Sequence, residues 1–199
     1  YKSIPTVTKI DFTGTGVVGN DTYNLYKFSV TADSAGPVAL YRLTFGVSTT
    51  TVSLNTTGYY LYESTSASSL GTIIAKGSDI TTTDVDGSAS DVLRVYFDVN
   101  DDNANSPAKE HRILSAGTTR YYTLRGTTRT GHDGTTGNES VSTVMASDAT
   151  YGSTAVKDAD ALIAAGDQNK FIWSDLNFDL YSTSTATTTE GWFNGYRIP

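Results

Sequence analysis

Apolar side chains recur at every second position along three stretches of the chain. Tyr26, Phe28, Val30 and Ala32 alternate with Lys27, Ser29 and Thr31. Tyr41, Leu43, Phe45 and Val47 alternate with Arg42, Thr44 and Gly46, and Leu93, Val95, Phe97 and Val99 with Arg94, Tyr96 and Asp98. A period of two sends one face of a strand inward and the other to water, the pattern of a half-buried antiparallel sheet. Shorter strands are predicted over 7–12, 59–63, 72–75, 120–126 and 140–145. Clusters of Gly, Asn, Asp and Ser at 14–21, 34–37, 84–90, 100–107 and 131–138 supply turns between them. A single short helix is predicted over 159–165, capped by Asp158 and stopped by Gly166. Many short strands punctuated in this way predict an all-β antiparallel sandwich, Ig-like or jelly-roll-like, with at most one short helix.

Residues 1–12 stand apart as a strand or arm. Ile4, Val7, Ile10 and Phe12 are strand-like, and Pro5 near the start suits an edge position. Such an arm either forms the first strand of its own sandwich or is exchanged with a neighbouring subunit, and residues 13–199 then make one sandwich domain. Towards the end of the chain, Phe171, Ile172 and Trp173 precede a Ser/Thr tract over 182–189, and Trp192, Phe193 and Tyr196 follow it. The later aromatics need a place to be buried, so the tract is expected to be a loop that returns a last strand to the sheet.

Composition sharpens this picture. Only 18% of the 199 residues are charged and 38% are hydrophobic, and Thr and Ser supply much of the remaining polarity. Thr is β-branched and fits a pleated, half-exposed surface, so the low charge reads as strand and not as disorder. The net charge of −7 disfavours nucleic acid and anionic membranes as partners. No apolar run reaches the length needed to span a bilayer as a helix. The chain has no cysteine, which excludes thiolate metal sites and disulfides and fits an exported protein that avoids free thiols.

Candidate chemistry is sparse. His111 and His132 have no ligand-type partner at i+2 or i+4 and no nucleophile elbow accompanies them, so no catalytic residue is assigned. The glutamates Glu63, Glu110, Glu139 and Glu190 are too scattered for the sequence to pair two as a glycosidase would need. The densest oxygen cluster is Asp98, Asn100, Asp101 and Asp102, a calcium candidate because that ion takes several short carboxylate and amide ligands from one loop. It lacks the Gly and Glu spacing of an EF-hand, and a polar hairpin loop accounts for it equally. Asp84, Asp86 and Asp91 form a weaker acidic stretch best read as a turn. The sequons at Asn20, Asn55 and Asn138 fall in predicted turns. Among the 13 tyrosines, the neighbours Tyr59-Tyr60 and Tyr121-Tyr122 must each turn one ring outward, where it could meet a partner or a sugar.

Three stretches also carry a resemblance. Residues 25–36 followed by 38–45, residues 114–126, and the pair Phe171-Ile172-Trp173-Ser174-Asp175 and Trp192-Phe193-Asn194-Gly195-Tyr196 occur in that order. They resemble β-sandwich repeat domains of large cell-surface proteins of candidate-phyla, Parcubacteria-like ultra-small bacteria, whose closing signature is F-x-W-S-D … W-x-N-G-Y. The resemblance implies an exported sandwich, not an activity; the scarce, unpartnered catalytic residues are what predict a protein that is not an enzyme. The expectation from residues and resemblance together is an extracellular or cell-surface structural subunit that self-associates into a homopolymer through strand edges. The alternative is a glycan-binding or adhesin module.

Overall fold

The computed structural model describes residues 2–14, 20–83, 90–97, 111–129, 139–146, 171–177 and 193–199. Twelve strands are formed there: β1 (Thr6–Lys9), β2 (Thr22–Thr31), β3 (Val38–Thr50), β4 (Leu54–Ser64), β5 (Thr72–Lys76), β6 (Ile80–Thr83), β7 (Ser90–Tyr96), β8 (Arg112–Leu114), β9 (Thr119–Thr128), β10 (Ser140–Met145), β11 (Ile172–Ser174) and β12 (Phe193–Asn194). They make two antiparallel sheets packed face to face. The first has the order β1-β2-β9-β4-β5, and the second β12-β11-β3-β7-β6, with β8 and β10 also paired to β3. The predicted sandwich is therefore observed. The predicted helix over 159–165 lies outside the described residues.

β3 is the spine of the second sheet. On one flank it pairs with β7 through Arg42–Ser48 and with β8 through Val38–Leu40; on the other it pairs with β10 through Phe45–Thr50 and with β11 through Ala39–Arg42. β7 and β8 thus continue one line along β3, and β10 and β11 continue the other. Thirteen residues of β3 hold together four strand segments that lie far apart in sequence. β3 is buried almost continuously from Val38 to Val47, on both of its faces.

The alternation read from the sequence needs correction in β3: Arg42 and Thr44, expected to face water, are fully buried, and the phase of the strand shifts. Leu40 and Leu43 both face the core, three positions apart, whereas Tyr41 lies outside the core cluster. A bulge explains the change of phase: Ile172 is opposite Arg42 but Trp173 is opposite Leu40, so Tyr41 is the extra residue. Tyr41, Arg42 and Tyr96 are buried outside that cluster, with the Arg42 guanidinium carbon 5.9 Å from the centre of the Tyr96 ring. β2 carries a similar shift between Asn24 and Tyr26, which brings Leu25 into the core alongside Phe28 and Val30.

The core between the sheets is built from Phe28, Val30, Leu61, Tyr122 and Leu124 on one side and Leu40, Leu43, Phe45, Leu93, Val95 and Trp173 on the other. The Phe28 and Tyr122 rings stack at 5.1 Å, and Phe28 meets Phe45 across the layers at 5.9 Å. These are the separations at which aromatic pairs add to simple burial. No described helix is long and apolar enough to cross a membrane.

Candidate functional site

Three places draw together the residues singled out above: a closing seam, a polar link between the sheets, and the outer surface of the first sheet.

The seam joins the two halves of the closing signature. Ile172 pairs with Asn194 and Trp173 with Phe193. The fully buried Trp173 indole N–H donates to the Gly195 carbonyl at 2.7 Å, and the Gly195 N–H donates to the Phe171 carbonyl at 3.0 Å. Gly195 takes φ +79°, a conformation costly for any residue with a Cβ, which accounts for glycine between Asn194 and Tyr196. Phe171 meets Tyr196 edge-on at 5.0 Å, and Trp173 meets Phe193 at 5.1 Å. Ser174 Oγ and Asp175 Oδ1 accept from the Leu176 and Asn177 N–H groups and fix the turn after β11. Phe193 and Tyr196 thus return to the sheet as expected; Trp192 and the tract itself lie outside the described residues.

The same seam grips the first strand. Asp175 Oδ2 accepts the Lys2 N–H at 2.9 Å. The Val7 N–H donates to the Arg197 carbonyl at 2.8 Å, and the Arg197 N–H donates to the Pro5 carbonyl at 2.9 Å. On its other side β1 pairs with β2 from Thr6–Thr31 to Lys9–Phe28. Within one chain β1 therefore fills a slot, antiparallel to β2 and parallel to the strip at Arg197. Ser3, Pro5 and Val7, at alternate positions, are buried, and Val7 belongs to the core.

The polar link centres on Glu63 of β4. Arg112 Nε and Nη2 of β8 donate to the two Glu63 carboxylate oxygens at 3.0 and 2.5 Å, and the Tyr122 hydroxyl of β9 donates to Oε2 at 3.0 Å. Arg120 Nε stands 3.9 Å from Oε1. Arg112 belongs to the second sheet and the other three to the first, so the carboxylate bridges the layers. Burial, followed by the neighbouring Glu63 charge, pushes the Tyr122 phenol well above its ordinary pKa. The hydrogen bond to Glu63 raises that of Arg112. Both carboxylate oxygens are engaged by donors, so the group works as a fixed acceptor. Gly71 permits the geometry: its φ is +79°, and a Cβ there would lie 1.9 Å from the Glu63 carbonyl oxygen. Sequence reasoning considered Glu63 only as a catalytic carboxylate and missed Arg112. The signal was a lone acid in an apolar strand, which demands a cation from somewhere.

The outer surface of the first sheet carries the outward tyrosines. Tyr59 and Tyr122 are buried in the core, while Tyr60, Tyr62 and Tyr121 turn the other way and are half-buried. Opposite residues on paired strands share a face. Tyr60 is opposite Arg125 and Lys76, Tyr62 is opposite Thr123 and Ile73, and Tyr121 is opposite Ser29. At one end, Arg125 also lines a cleft of about 320 Å³ with Tyr23, Asn24 and Phe12. That volume lies at the small end of ligand-sized pockets, roughly 300–1,000 Å³.

The remaining candidates are dispersed. His111 precedes Arg112, and burial lowers its pKa from the ordinary imidazole value. His132, Glu110, Glu190, Asn138, the acidic residues Asp84 and Asp86, and the calcium candidates Asp98, Asn100, Asp101 and Asp102 lie outside the described residues. Among the described residues no three His, Asp or Glu side chains gather as a metal site. Asn20 and Asn55 are exposed and line one shallow cleft with Arg129; the Asn55 amide oxygen accepts from the Thr57 N–H and hydroxyl, both at 3.1 Å. Compared with protein-family models and with curated proteins, the chain matches none.

Proposed function

We propose that the protein is an extracellular structural subunit of a cell-surface filament, pilus-like fibre or surface layer, assembling through strand edges. The observation that carries this reading is β10. Its six residues, SVSTVM, contain no charge, and among the described strands it pairs with β3 alone. Val144, its fifth residue, is 61% exposed. Proteins that stay monomeric blunt such an edge with lysine, proline or a bulge, because its unpaired N–H and C=O groups invite another strand. β10 carries none of these. The resemblance of the closing signature to repeat domains of surface proteins supports the same location. Electron microscopy of the purified chain should show polymers of regular width, and Val144→Lys should abolish them while leaving the circular dichroism spectrum unchanged. Discrete monomers from the unsubstituted chain, or polymers that survive Val144→Lys, would contradict this use of the edge.

The row of Tyr60, Tyr62 and Tyr121 favours a second reading, a glycan-binding or adhesin module. Flat aromatic faces stack on sugar rings, and Arg125 and Asn24 beside them offer hydrogen bonds to hydroxyls. Retention on polysaccharide that is lost in Tyr62→Ala would favour it over the filament.

A further inference from the structure

We infer that the outer face of the first sheet binds an anionic polysaccharide, a sugar polymer whose rings carry carboxylate or sulfate groups. The inference rests on the glycan-binding reading above and names the class of glycan. This face belongs to the first sheet, whereas the β10 edge belongs to the second.

Strand register fixes what the face presents. Three neighbouring rows of outward residues cross β2, β9 and β4. In the first, Tyr60 has Arg125 on one side and Lys76 on the other. In the second, Tyr62 faces Lys27 across Thr123, and Tyr121 lies in the third. Rows two residues apart are separated by about 7 Å and strands by about 4.8 Å, so the patch measures roughly 14 Å each way. Tyr60, Tyr62 and Tyr121 are half-buried, so each keeps part of its ring open to a ligand. Rings held in this way stack on the apolar faces of sugars.

Charge decides which sugars. The whole chain has 21 acidic residues against 14 Lys and Arg. These rows reverse that balance: they hold Lys27, Lys76 and Arg125, and among their described residues none is acidic. Asp21 and Asp79 stand at the margins, where each accepts a backbone N–H, from Thr22 at 2.7 Å and from Lys76 at 2.9 Å. Two of the cations are positioned by neutral groups. Arg125 Nη2 donates to the Thr22 carbonyl at 2.7 Å, and Lys27 Nζ to the Ala67 carbonyl at 2.5 Å. Holding them in place therefore does not cancel their charge. The Debye length at physiological salt is about 8 Å, so a ligand touching the face meets these cations more strongly than the net charge of the chain. The remaining positions of the rows are Ser, Thr, Asn and Ile, which offer hydrogen bonds to sugar hydroxyls between the rings. The centre of a protein interface is poor in Lys and Ser, so this mixture fits a hydroxyl-rich polymer better than a protein partner.

Surface plasmon resonance of the full chain over immobilised polysaccharides tests the inference. Alginate carries carboxylates, dextran sulfate carries sulfates, and dextran is neutral. Binding to alginate or to dextran sulfate should exceed binding to dextran at least tenfold, and the stronger of the two identifies the anion. Arg125→Gln and Tyr62→Ala should each weaken it at least tenfold, with the circular dichroism spectrum unchanged. Lys76 is exposed, so Lys76→Gln, with an expected loss of at least threefold, keeps the measurement decisive if Arg125→Gln folds poorly. Equal binding to dextran would overturn the inference and leave the glycan reading standing; binding to none of the three would sink both. Binding that ignores Tyr62→Ala, or that polyglutamate of matched charge displaces as well as free alginate does, would reveal bare charge attraction and overturn the inference.

Discussion

Replacing Glu63 by Gln is the sharpest probe of how the two sheets are held. The substitution keeps the shape and removes the charge. Glu63 is 8% exposed and accepts two bonds from Arg112 and one from Tyr122. An amide at this position has one acceptor oxygen and turns its NH₂ towards a donor, so at least one of the three bonds becomes a clash of donors. Breaking a buried ion pair from one side costs about 3–5 kcal/mol. The Arg112 side chain is 36% exposed and can turn to water, which places the expected loss near the low end, about 3 kcal/mol. Urea denaturation followed by circular dichroism should therefore show a lower midpoint with an unchanged slope. Tyr122→Phe alone should cost about 1–2 kcal/mol, and less when Glu63→Gln is already present, because both remove the same bond. A loss below about 1 kcal/mol for Glu63→Gln, or strict additivity of the two changes, would refute the claim that this carboxylate links the layers.

Other predictions follow from the same geometry. Trp173→Phe should cost about 3 kcal/mol, combining an orphaned buried Gly195 carbonyl with a cavity, and should speed amide exchange at Val7 and Arg197; unchanged exchange there would separate the seam from the β1 slot. Gly71→Ala should destabilise by more than about 2 kcal/mol in thermal or urea unfolding, because the new Cβ meets the Glu63 carbonyl at a positive φ; a neutral result would show that the turn can relax. The raised Tyr122 pKa stabilises fully below the unfolded phenol's ordinary value of about 10, and that contribution is lost as pH climbs through the higher folded value. Unfolding free energy should therefore fall above pH 10, and fall less steeply in Tyr122→Phe. His111 works in the opposite sense. Its lowered pKa favours the fold above the ordinary imidazole value of about 6.5, and that contribution is lost as pH drops through the folded value. His111→Gln should flatten the acid limb of the stability profile.

Several features were legible in the sequence because they are local. Alternation at 26–32 and 93–97 marked strands whose inward residues do reach the core, and the adjacent tyrosines had to divide between two faces because successive side chains point oppositely. The signature at Phe171–Asp175 and 192–196 announced aromatics that needed burial. What the sequence could not determine are pairings between distant strands. Alternation across Tyr41 gave the wrong face for that residue, because the bulge is set by how β11 meets β3, and β11 lies about 130 positions further along. Glu63 looked like any strand acid, and only the approach of β8 to β4 across the sandwich supplies Arg112. That Asp175 and Arg197 hold the first strand is likewise invisible in one dimension, since what they grip on that strand are backbone N–H and C=O groups, which leave no residue-type signal. Side-chain periodicity determined that this chain would form β-sheets with one greasy face. Tertiary packing decided which strands meet, and so which carboxylate is paired and which strand sits in a two-walled slot.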